Sequence, residues 1–344
     1  MIGLVGFAVI FGTGRWLAWP ARWVWLMAWG WLVVLLVAHA PYMPPALGDF
    51  VGGEFRGWFV LGVLAALGLA YRAGLRRVRS RVEPKAEAAR SGSFSPVELD
   101  RYARHIMLRE IGGPGQKSLK SARVLVVGAG GLGSPVLLYL AASGVGTIGV
   151  IDDDAVEGSN LQRQIVHADA RIGMPKVFSA EAAMRALNPF VEVRPYHRRL
   201  DEAVAADLIA DYDLVLDGTD NLDTRYLVNR VCARLGKPLI AGAITQWEGQ
   251  ISLYDPARGG PCFDCVFPVR PAPGMVPSCA EAGVAAALPG VIGAMMAVEA
   301  IKQITDAGEG LRGRLMIYDA LYAQTRMISI KKRADCAVCG GQHG

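Results

Sequence analysis

The sequence predicts a doubly wound α/β fold with a mostly parallel sheet, preceded by membrane-spanning helices. Strand-like apolar runs alternate with helix-like segments from residue 123 to about residue 245, the pattern of a parallel sheet covered by helices on both faces. The excess apolar residues lie before residue 75, and the mean hydropathy of +0.29 is high for a wholly soluble protein. With 344 residues, the chain is long enough for one large domain and an appendage.

Two apolar runs within residues 1–81 predict transmembrane helices. Residues 23–40 read WVWLMAWGWLVVLLVAHA, which is long enough to cross the hydrocarbon core of a bilayer. The second run, near residues 57–72, is shorter and crosses only if its flanks contribute. Tryptophans occur in both runs, as in segments that meet the membrane interface. A buried core helix is the alternative for each run, and the apolar residues 1–13 are left unassigned.

Arginines after the second run set the expected orientation. By the positive-inside rule this cluster stays cytoplasmic; it comprises Arg72, Arg76, Arg77, Arg79 and Arg81. The prediction is therefore an inner-membrane protein whose main domain faces the cytoplasm. Because the net charge of +5 is mostly juxtamembrane, it does not indicate nucleic-acid binding.

A polar linker is predicted at residues 82–94, where the chain contains Pro84 and the segment SGS. Ser95 and Glu98 then have the spacing of a capping box, with Pro96 at the first helical position. These signals place the start of a new domain at residue 95, and we expect it to extend to residue 344.

A glycine-rich turn follows the first predicted strand. Residues 124–127 form a continuous apolar run, as in a strand buried on both faces. The glycines that follow allow a tight turn and a close approach of backbone amides to phosphate; they are Gly128, Gly130, Gly131 and Gly133. A second strand at residues 147–151 ends at Asp152, where a Rossmann-like fold places its ribose-binding acid. Alone, this pattern fits a nicotinamide or flavin oxidoreductase as well as any other nucleotide user.

Polar and cationic residues downstream favour chemistry at a phosphorus atom. Asn160, Arg163 and Lys176 follow the second strand in the segments SNLQRQ and GMPK. The pyrophosphate of a redox cofactor is usually held by backbone amides, whereas attack on a triphosphate requires fixed cations near the developing charge. Arg163 and Lys176 are the candidates for that role.

Four of the six cysteines form two C-x-x-C pairs far apart in the chain, Cys262 with Cys265 and Cys336 with Cys339. This arrangement predicts a tetrahedral structural zinc site that staples the C-terminal part to the core. Redox or incidental thiols are the alternative. Cys232 lies in a helical apolar pattern and is predicted to be a core residue.

Cys279 stands apart in a Pro- and Gly-rich segment, PSCAEAGV, where a thiol could meet a substrate or be structural. The apolar residues 283–298 that follow are predicted to form a buried helix rather than a third membrane span. Pro289 is expected to interrupt this segment, and Glu281 and Glu299 to bracket it.

Taken together, residues from about 100 to 339 resemble the MoeB/ThiF family of E1-like activating enzymes for ubiquitin-like sulfur carriers. The resemblance rests on RYARHIMLREIG, GAGGLG, DDDAVEGSNLQRQ, GMPK, DGTDNLDTR, SCAEAGV and both cysteine pairs. It implies ATP-dependent adenylation of the C-terminal glycine of a carrier protein, with release of pyrophosphate. The membrane-like N-terminal segment departs from the family pattern.

The resemblance also implies residue roles at the nucleotide. The four glycines of the turn would contact the phosphates, and Asp152 would hold the ribose. Asn160, Arg163 and Lys176 would contact the phosphates as well, with the two cations offsetting charge on the α-phosphoryl group.

Two further roles follow from the resemblance. Asp220, in DGTDN, would hold Mg²⁺, although it could instead cap the helix that follows. Arg104, in RYARHI, would reach the nucleotide of a neighbouring subunit, which requires a homodimer; it could also be a solvated helix residue. Asp154 could be structural, and His105 and His167 are interpreted as structural.

Several functions remain open at this point. The leading expectation is activation of a carrier of the molybdopterin-synthase small-subunit (MoaD) type. The thiamine-pathway (ThiS) homologue is an alternative, in which Cys279 would form a covalent sulfur link, and a membrane-anchored NAD or FAD oxidoreductase is an alternative of another class. No rhodanese-type sequence follows Cys339, so sulfur is expected from a separate donor protein.

Overall fold

The computed structural model describes residues 2–16, 19, 21–40, 43–82, 94–270 and 283–340. The chain divides into two compact units, residues 1–85 and residues 86–344. Most of the predicted linker, residues 83–93, lies outside the described residues.

The first unit is helical. Its helices are α1 (Ile2–Trp16), α2 (Ala21–Ala38), α3 (Pro45–Val51) and α4 (Phe55–Val82). A small apolar cluster joins α2, α3 and α4 through Leu35, Val51 and Trp58. The indole Nε1 of Trp31 in α2 donates a hydrogen bond to the carbonyl of Gly3 in α1 at 2.9 Å, so α1 belongs to the same small assembly.

The two expected membrane spans stay a prediction, since the described residues offer one candidate helix by length and composition only. Among the described residues, only Phe55–Arg72 is both long enough and apolar enough to cross a bilayer, and 6% of it is buried. Trp23–Ala38 is apolar but shorter than a crossing requires. The sequence expectation ranked these runs the other way, because it did not anticipate that α4 begins at Phe55 and so includes the flanking residues.

The second unit is an α/β domain. Its helices are α5 (Pro96–Ile106), α6 (Gly112–Ser121), α7 (Gly133–Ala142), α8 (Lys176–Leu187), α9 (Glu202–Ala210), α10 (Leu222–Leu235), α11 (Phe263–Val266) and α12 (Leu288–Thr305). Its strands are β1 (Arg123–Val127), β2 (Thr147–Ile151), β3 (Glu192–Tyr196), β4 (Leu214–Asp217), β5 (Leu239–Ile244), β6 (Glu248–Tyr254), β7 (Arg314–Asp319) and β8 (Gln324–Ser329).

These strands form one sheet in the order β3-β2-β1-β4-β5-β6-β7-β8. The first five strands in that order are parallel, and β6, β7 and β8 continue the sheet in antiparallel fashion. The chain reverses direction across the sheet at β1, between β2 and β4, which is the switch point where doubly wound folds bind ligands. The predicted Rossmann-like, mostly parallel sheet is confirmed, whereas its antiparallel extension was not predicted.

Both faces of the parallel sheet are covered by helices. Val124 and Val126 of β1 pack in one apolar cluster with α7, α8 and α12. Leu125 and Val127 point to the opposite face and pack with α9 and α10. This arrangement explains why β1 is apolar at successive positions rather than at alternate ones. Cys232 of α10 is 1% exposed, which confirms its predicted place in the core.

Helix α12 differs from the sequence expectation. It covers Leu288–Thr305, and Pro289 lies in its first turn instead of interrupting it. This is a favourable position, because the first helical residues need no backbone N–H donor. Glu299 lies inside the helix and accepts a backbone hydrogen bond from Leu311 at 2.9 Å, so it does not bracket the segment. Gly293 packs so closely on α7 that a Cβ atom there would collide with the carbonyl of Leu132.

Candidate functional site

The glycine turn between β1 and α7 lies at the carboxyl end of the central strand. Gly128 has a φ of +92°, a conformation that residues with a side chain rarely adopt. A Cβ atom on Gly133 would collide with the carbonyl oxygen of Gly128. The first turn of α12 covers the loop, since a Cβ on Gly131 would lie 3.0 Å from the Cβ of Pro289. The loop is therefore a tight backbone cradle at the N-terminus of α7.

Asp152, at the end of β2, is fastened to this cradle. One carboxylate oxygen accepts a hydrogen bond from the backbone N–H of Ala129 at 2.7 Å, and the other accepts one from the N–H of Asp154 at 2.9 Å. Burial raises the pKa of Asp152, and the nearby charge of Lys176 only partly opposes this effect. The predicted contact of Asp152 with a ribose stays a prediction.

Lys176, the first residue of α8, lies near Asp152 and pairs with Asp154. Its side chain is 6% exposed, and its Nζ lies 2.6 Å from the Oδ2 of Asp154, whose side chain is 65% exposed. The Asp154 backbone carbonyl also accepts a hydrogen bond from the N–H of Lys176 at 2.9 Å. Asp154 therefore holds a buried ammonium group at the site.

Arg163 and Asn160 are brought together near the glycine loop. The Nη2 of Arg163 donates a hydrogen bond to the Oδ1 of Asn160 at 3.0 Å. The Cγ of Arg163 lies 3.6 Å from the place where a Cβ on Gly131 would be. Next to it, Gln164 is 5% exposed, and its Oε1 has no hydrogen-bond partner among the described residues. The amide nitrogen of the same side chain lies 3.8 Å from the place where a Cβ on Gly130 would be. A buried amide oxygen without a partner is a group that water or a bound ligand would satisfy.

His167 is structural, as predicted, and it contacts two parts of the site. One ring nitrogen, Nε2, lies 2.9 Å from the carbonyl oxygen of Ala129, and Nδ1 lies 3.0 Å from the Oγ of Ser179 in α8. Burial lowers the pKa of His167, so the ring is held neutral. It connects the glycine loop to the helix that carries Lys176. His105 is also structural, since it contacts Gln116 at 2.9 Å.

The DGTDN segment begins with the last residue of β4, and its residues make different contacts. Asp217 is fully buried, accepts hydrogen bonds from the N–H and hydroxyl of Thr219, and lies 3.6 Å from Arg225. Asn221, not Asp220, caps α10 by accepting from the Thr224 N–H at 3.0 Å. The capping alternative for Asp220 was therefore wrong. The Asp220 side chain is exposed at the same edge of the sheet as the glycine loop.

The carboxylates that the structure groups together are those of Asp152, Asp153 and Asp154, whose oxygens lie within 4.8 Å of one another. Among the described residues, Asp220 belongs to no such group. Its predicted role in holding Mg²⁺ stays a prediction. The Asp217–Arg225 pair could not be predicted from the sequence, because both residues become buried only through tertiary packing.

Two predicted site residues are not joined to this cluster. Arg104 lies exposed in the last turn of α5 and has no ion pair or hydrogen bond with another described residue. Cys279 falls outside the described residues. Their roles remain predictions.

The two C-x-x-C pairs converge into one buried cluster, as predicted. Sulfur–sulfur distances are 3.8 Å for Cys262–Cys265, 3.5 Å for Cys262–Cys336 and 3.4 Å for Cys265–Cys339. Four sulfurs at the usual zinc–sulfur distance of about 2.3 Å from a tetrahedral ion would be roughly 3.8 Å apart. All four residues are at most 8% exposed. The donor set and spacing fit Zn²⁺.

The fold and the site together define an α/β nucleotide-binding protein with cations beside its phosphate cradle and a tetracysteine cluster. Residues 102–338 match the family model described as the ThiF family. The chain is 50% identical to the SAMP-activating enzyme E1 of Haloferax volcanii, over 72% of this chain and 91% of that one. It is 48% identical to the sulfur carrier protein adenylyltransferase of Thermus thermophilus, over 72% of this chain and 93% of that one. The chain belongs to the ThiF family.

Solved structures share the fold. MccB of E. coli superposes with a TM-score of 0.63 at 23% identity, over 73% of this chain and 76% of that chain. PaaA superposes with a TM-score of 0.61 at 23% identity, over 86% of this chain and 89% of that chain.

Proposed function

We propose that this chain adenylates the C-terminal glycine of a ubiquitin-like sulfur-carrier protein at the expense of ATP. The observation that carries the proposal is the placement of Arg163 and buried Lys176 beside the glycine cradle. A cofactor-binding fold does not need these cations, whereas transfer of an adenylyl group does. The relatives named as an E1 and as an adenylyltransferase support the same reaction.

In the proposed reaction, a carboxylate oxygen of the carrier attacks the α-phosphorus of ATP. An oxygen–phosphorus bond to the carrier forms, the bond to the β-phosphate oxygen breaks, and the products are an acyl adenylate and pyrophosphate. No general base is needed, because a terminal carboxylate is ionised at neutral pH. The protein therefore supplies alignment and charge neutralisation.

The residues divide this work. Backbone amides of the glycine loop hold phosphate oxygens, and Asp152 is the candidate for the ribose. Arg163 and Lys176 offset charge on the α-phosphoryl group and on departing pyrophosphate. Lys176 would exchange its contact with exposed Asp154 for phosphate. Mg²⁺, for which Asp220 is the proposed ligand, would neutralise the remaining phosphate charge.

A protein substrate is supported by the antiparallel end of the sheet. Every residue of β8 is exposed. Large apolar side chains concentrate there: Trp247 is 47% exposed, Leu321 54%, Tyr322 71%, Met327 50% and Ile328 44%. Such a patch is typical of a surface that meets another protein.

The carrier type is tested by mixing the purified chain with ATP and either a MoaD-type or a ThiS-type carrier, and measuring pyrophosphate release. We propose the MoaD type, with sulfur supplied by a separate donor protein. A carrier lacking its C-terminal glycine is the matched control. Equal inactivity with both intact carriers would overturn the proposed function.

The oxidoreductase alternative is not favoured. It predicts a bound cofactor that absorbs in the near-ultraviolet or visible range and an activity indifferent to Arg163→Ala. A colourless protein that releases pyrophosphate only with a carrier would dismiss it.

A homodimer is part of the proposal, because Arg104 is an exposed cation that pairs with none of the described residues and would act at the nucleotide of a second copy. Mixing Arg104→Ala with Arg163→Ala tests this arrangement. If Arg104 acts across the interface, the mixture recovers part of the activity that each variant lacks. Absence of recovery from a mixture shown to exchange subunits would contradict the role in trans.

Attachment to the inner membrane, with the catalytic domain on the cytoplasmic side, is also a proposal. It is supported by the exposed apolar helix Phe55–Arg72 and the arginines that follow it. Cell fractionation tests it: the full chain should sediment with membranes, and a chain starting at residue 95 should not. Recovery of the full chain only in the soluble fraction would refute attachment.

A further inference from the structure

A second concave site lies away from the glycine loop. A cleft of about 310 Å³ is lined by Arg258, Gly259, Gly260, Pro261, Arg312, Gly313, Ile330, Lys331 and Lys332. We call it the basic cleft, because four of these residues are cationic and, among the described residues that line it, none is acidic. Nothing in the adenylation mechanism uses these residues.

The basic cleft lies at the opposite edge of the sheet from the nucleotide site. Tyr254, the last residue of β6, pairs with Leu239, the first residue of parallel strand β5. The segment after Tyr254, which leads into the cleft, therefore lies at the amino ends of the parallel strands. The glycine loop follows β1 and lies at their carboxyl ends. The two sites are thus separated by the length of the sheet.

Two of the cations in the cleft lie close to one buried carboxylate. The carboxylate of Asp255 is 2% exposed, and its Oδ2 lies 3.0 Å from the Nη2 of Arg312 and 4.0 Å from the Nε of Arg258. Arg312 also donates to the Oε1 of Gln303 at 3.3 Å. Gly260 lets the Arg312 side chain pass, since a Cβ there would lie 2.9 Å from the Arg312 Cγ. A tethered guanidinium binds an anion with less loss of side-chain entropy.

The ammonium group of Lys332 is the observation that most strongly indicates an anion site. Its Nζ is shielded from solvent and has no hydrogen-bond partner among the described residues, carboxylates and cysteine sulfurs included. A buried charge without a partner is costly, so native proteins pair such groups with a counter-ion, a ligand or water. Lys332 lines the cleft together with Arg258 and Arg312.

We propose that the basic cleft binds a phosphate-bearing anion. Asp255 and the neighbouring cysteine thiolates offset part of the four positive charges. A phosphate group still fits the lining better than a single carboxylate does, because it offers more oxygens to several separate cationic donors. The tetrahedral oxygens of phosphate can accept simultaneously from the planar arginine groups and from Lys332. Free inorganic phosphate, pyrophosphate and a phosphate monoester share this chemistry.

Calorimetric titration of the zinc-loaded full chain, without ATP, tests the proposal. The probes are orthophosphate, pyrophosphate and glycerol 3-phosphate, which distinguish the sources of the phosphate group. Binding should persist in Arg163→Ala, which disables the nucleotide site. It should weaken by about tenfold or more in Lys332→Gln, the loss expected for one charge-assisted hydrogen bond. Lys117→Gln, which removes an exposed lysine of α6, is the matched control and should bind as the wild type does.

Folding of Lys332→Gln is checked by zinc content and circular dichroism. If that variant misfolds, Arg258→Gln replaces it, because the Arg258 side chain is 63% exposed. Unchanged binding in the folded variant would overturn the proposal, as would binding lost only in Arg163→Ala. Lys332-dependent binding of an acidic peptide without phosphate binding would overturn the ligand class. Absence of all binding would show that water alone satisfies the ammonium group.

Discussion

At the scale of single residues, the nucleotide site is organised before a nucleotide arrives. Lys176 is paired with Asp154, Arg163 with Asn160, and Asp152 with the amide of Ala129. Each partner is itself a residue of the site. The two cations are therefore held in position by site residues and not by ion pairs within the core. Such preorganisation lowers the reorganisation needed when charge develops on phosphate.

Replacing Arg163 with alanine should reduce the rate of carrier-dependent pyrophosphate release about 100- to 1000-fold, the usual cost of removing one group that stabilises developing charge. The measurement is the initial rate at saturating ATP and carrier. Arg234→Ala removes an exposed arginine in the last turn of α10, away from the carboxyl ends of the parallel strands, and should retain the wild-type rate. An Arg163→Ala rate within twofold of wild type would contradict the assigned role.

His167 should make stability depend on pH. Burial lowers its pKa in the folded state, whereas the unfolded chain titrates near 6.5. Below that pH the unfolded state binds a proton that the folded state does not, so the free energy of unfolding falls as the pH falls. His167→Gln lacks this proton uptake. Urea unfolding at pH 7.5 and pH 5.5 should therefore show a smaller decrease for the variant; equal decreases would show that His167 does not contribute.

At the scale of elements, one feature of α5 could be predicted from the sequence and another could not. The capping box of Ser95 and Glu98 was predicted and is present, with hydrogen bonds of 3.3 and 2.9 Å. The ion pair between Glu98 and Lys120 of α6, at 2.7 Å, was not predicted. Local capping depends on residues three apart, whereas the ion pair depends on how two helices pack.

Replacing Glu98 with glutamine should lower the free energy of unfolding by about 1–2 kcal/mol at pH 7, because the buried ion pair is lost while the cap is retained. Burial opposes ionisation of Glu98, but Lys120 and Ser95 outweigh it and hold the pKa below its usual 4.5. The pair thus stabilises above that pH and is lost as the pH falls through the lower, folded-state pKa. Urea unfolding at pH 7 and pH 4 should show the variant's deficit shrinking. Glu110→Gln, at an exposed pair, should change little at either pH.

Some strands of the sheet could be predicted from the sequence and others could not. β1, β2 and β4 were predictable because burial on both faces makes each a continuous apolar run. The antiparallel strands were not, and β8, exposed at every position, carries no such signal. Pro289 was misinterpreted as an interruption because a proline signals a break or a first turn, and only packing on α7 decides which.

At the scale of the whole molecule, the cysteine cluster joins parts of the chain that are distant in sequence. Cys262 immediately precedes α11 and Cys265 lies within it, whereas Cys336 and Cys339 follow β8. The sequence predicted the four ligands, because the C-x-x-C spacing is local. It did not predict that this cluster lies next to the basic cleft, since that proximity depends on the turn after β6 and the strand β8.

If the cysteine cluster holds zinc, a chelator should destabilise the second unit and raise its protease sensitivity near the second cysteine pair. With free zinc about a thousandfold above its dissociation constant, the bound ion adds about 4 kcal/mol to the free energy of unfolding. Thermal unfolding with and without a chelator, alongside metal analysis, measures this effect. Cys336→Ser should resemble the chelated protein, whereas Cys232→Ala should still respond to the chelator. An unchanged midpoint after complete removal of zinc would refute a structural role.

The close contact of α12 with the glycine loop has a consequence for biosynthesis. Gly293 and Pro289 complete the wall around Leu132 and Gly131, yet they are translated long after the loop itself. A nascent chain on the ribosome carries the phosphate cradle but not the helix that closes over it. We therefore expect adenylating competence to arise only once α12 has emerged, so that incomplete chains do not consume ATP.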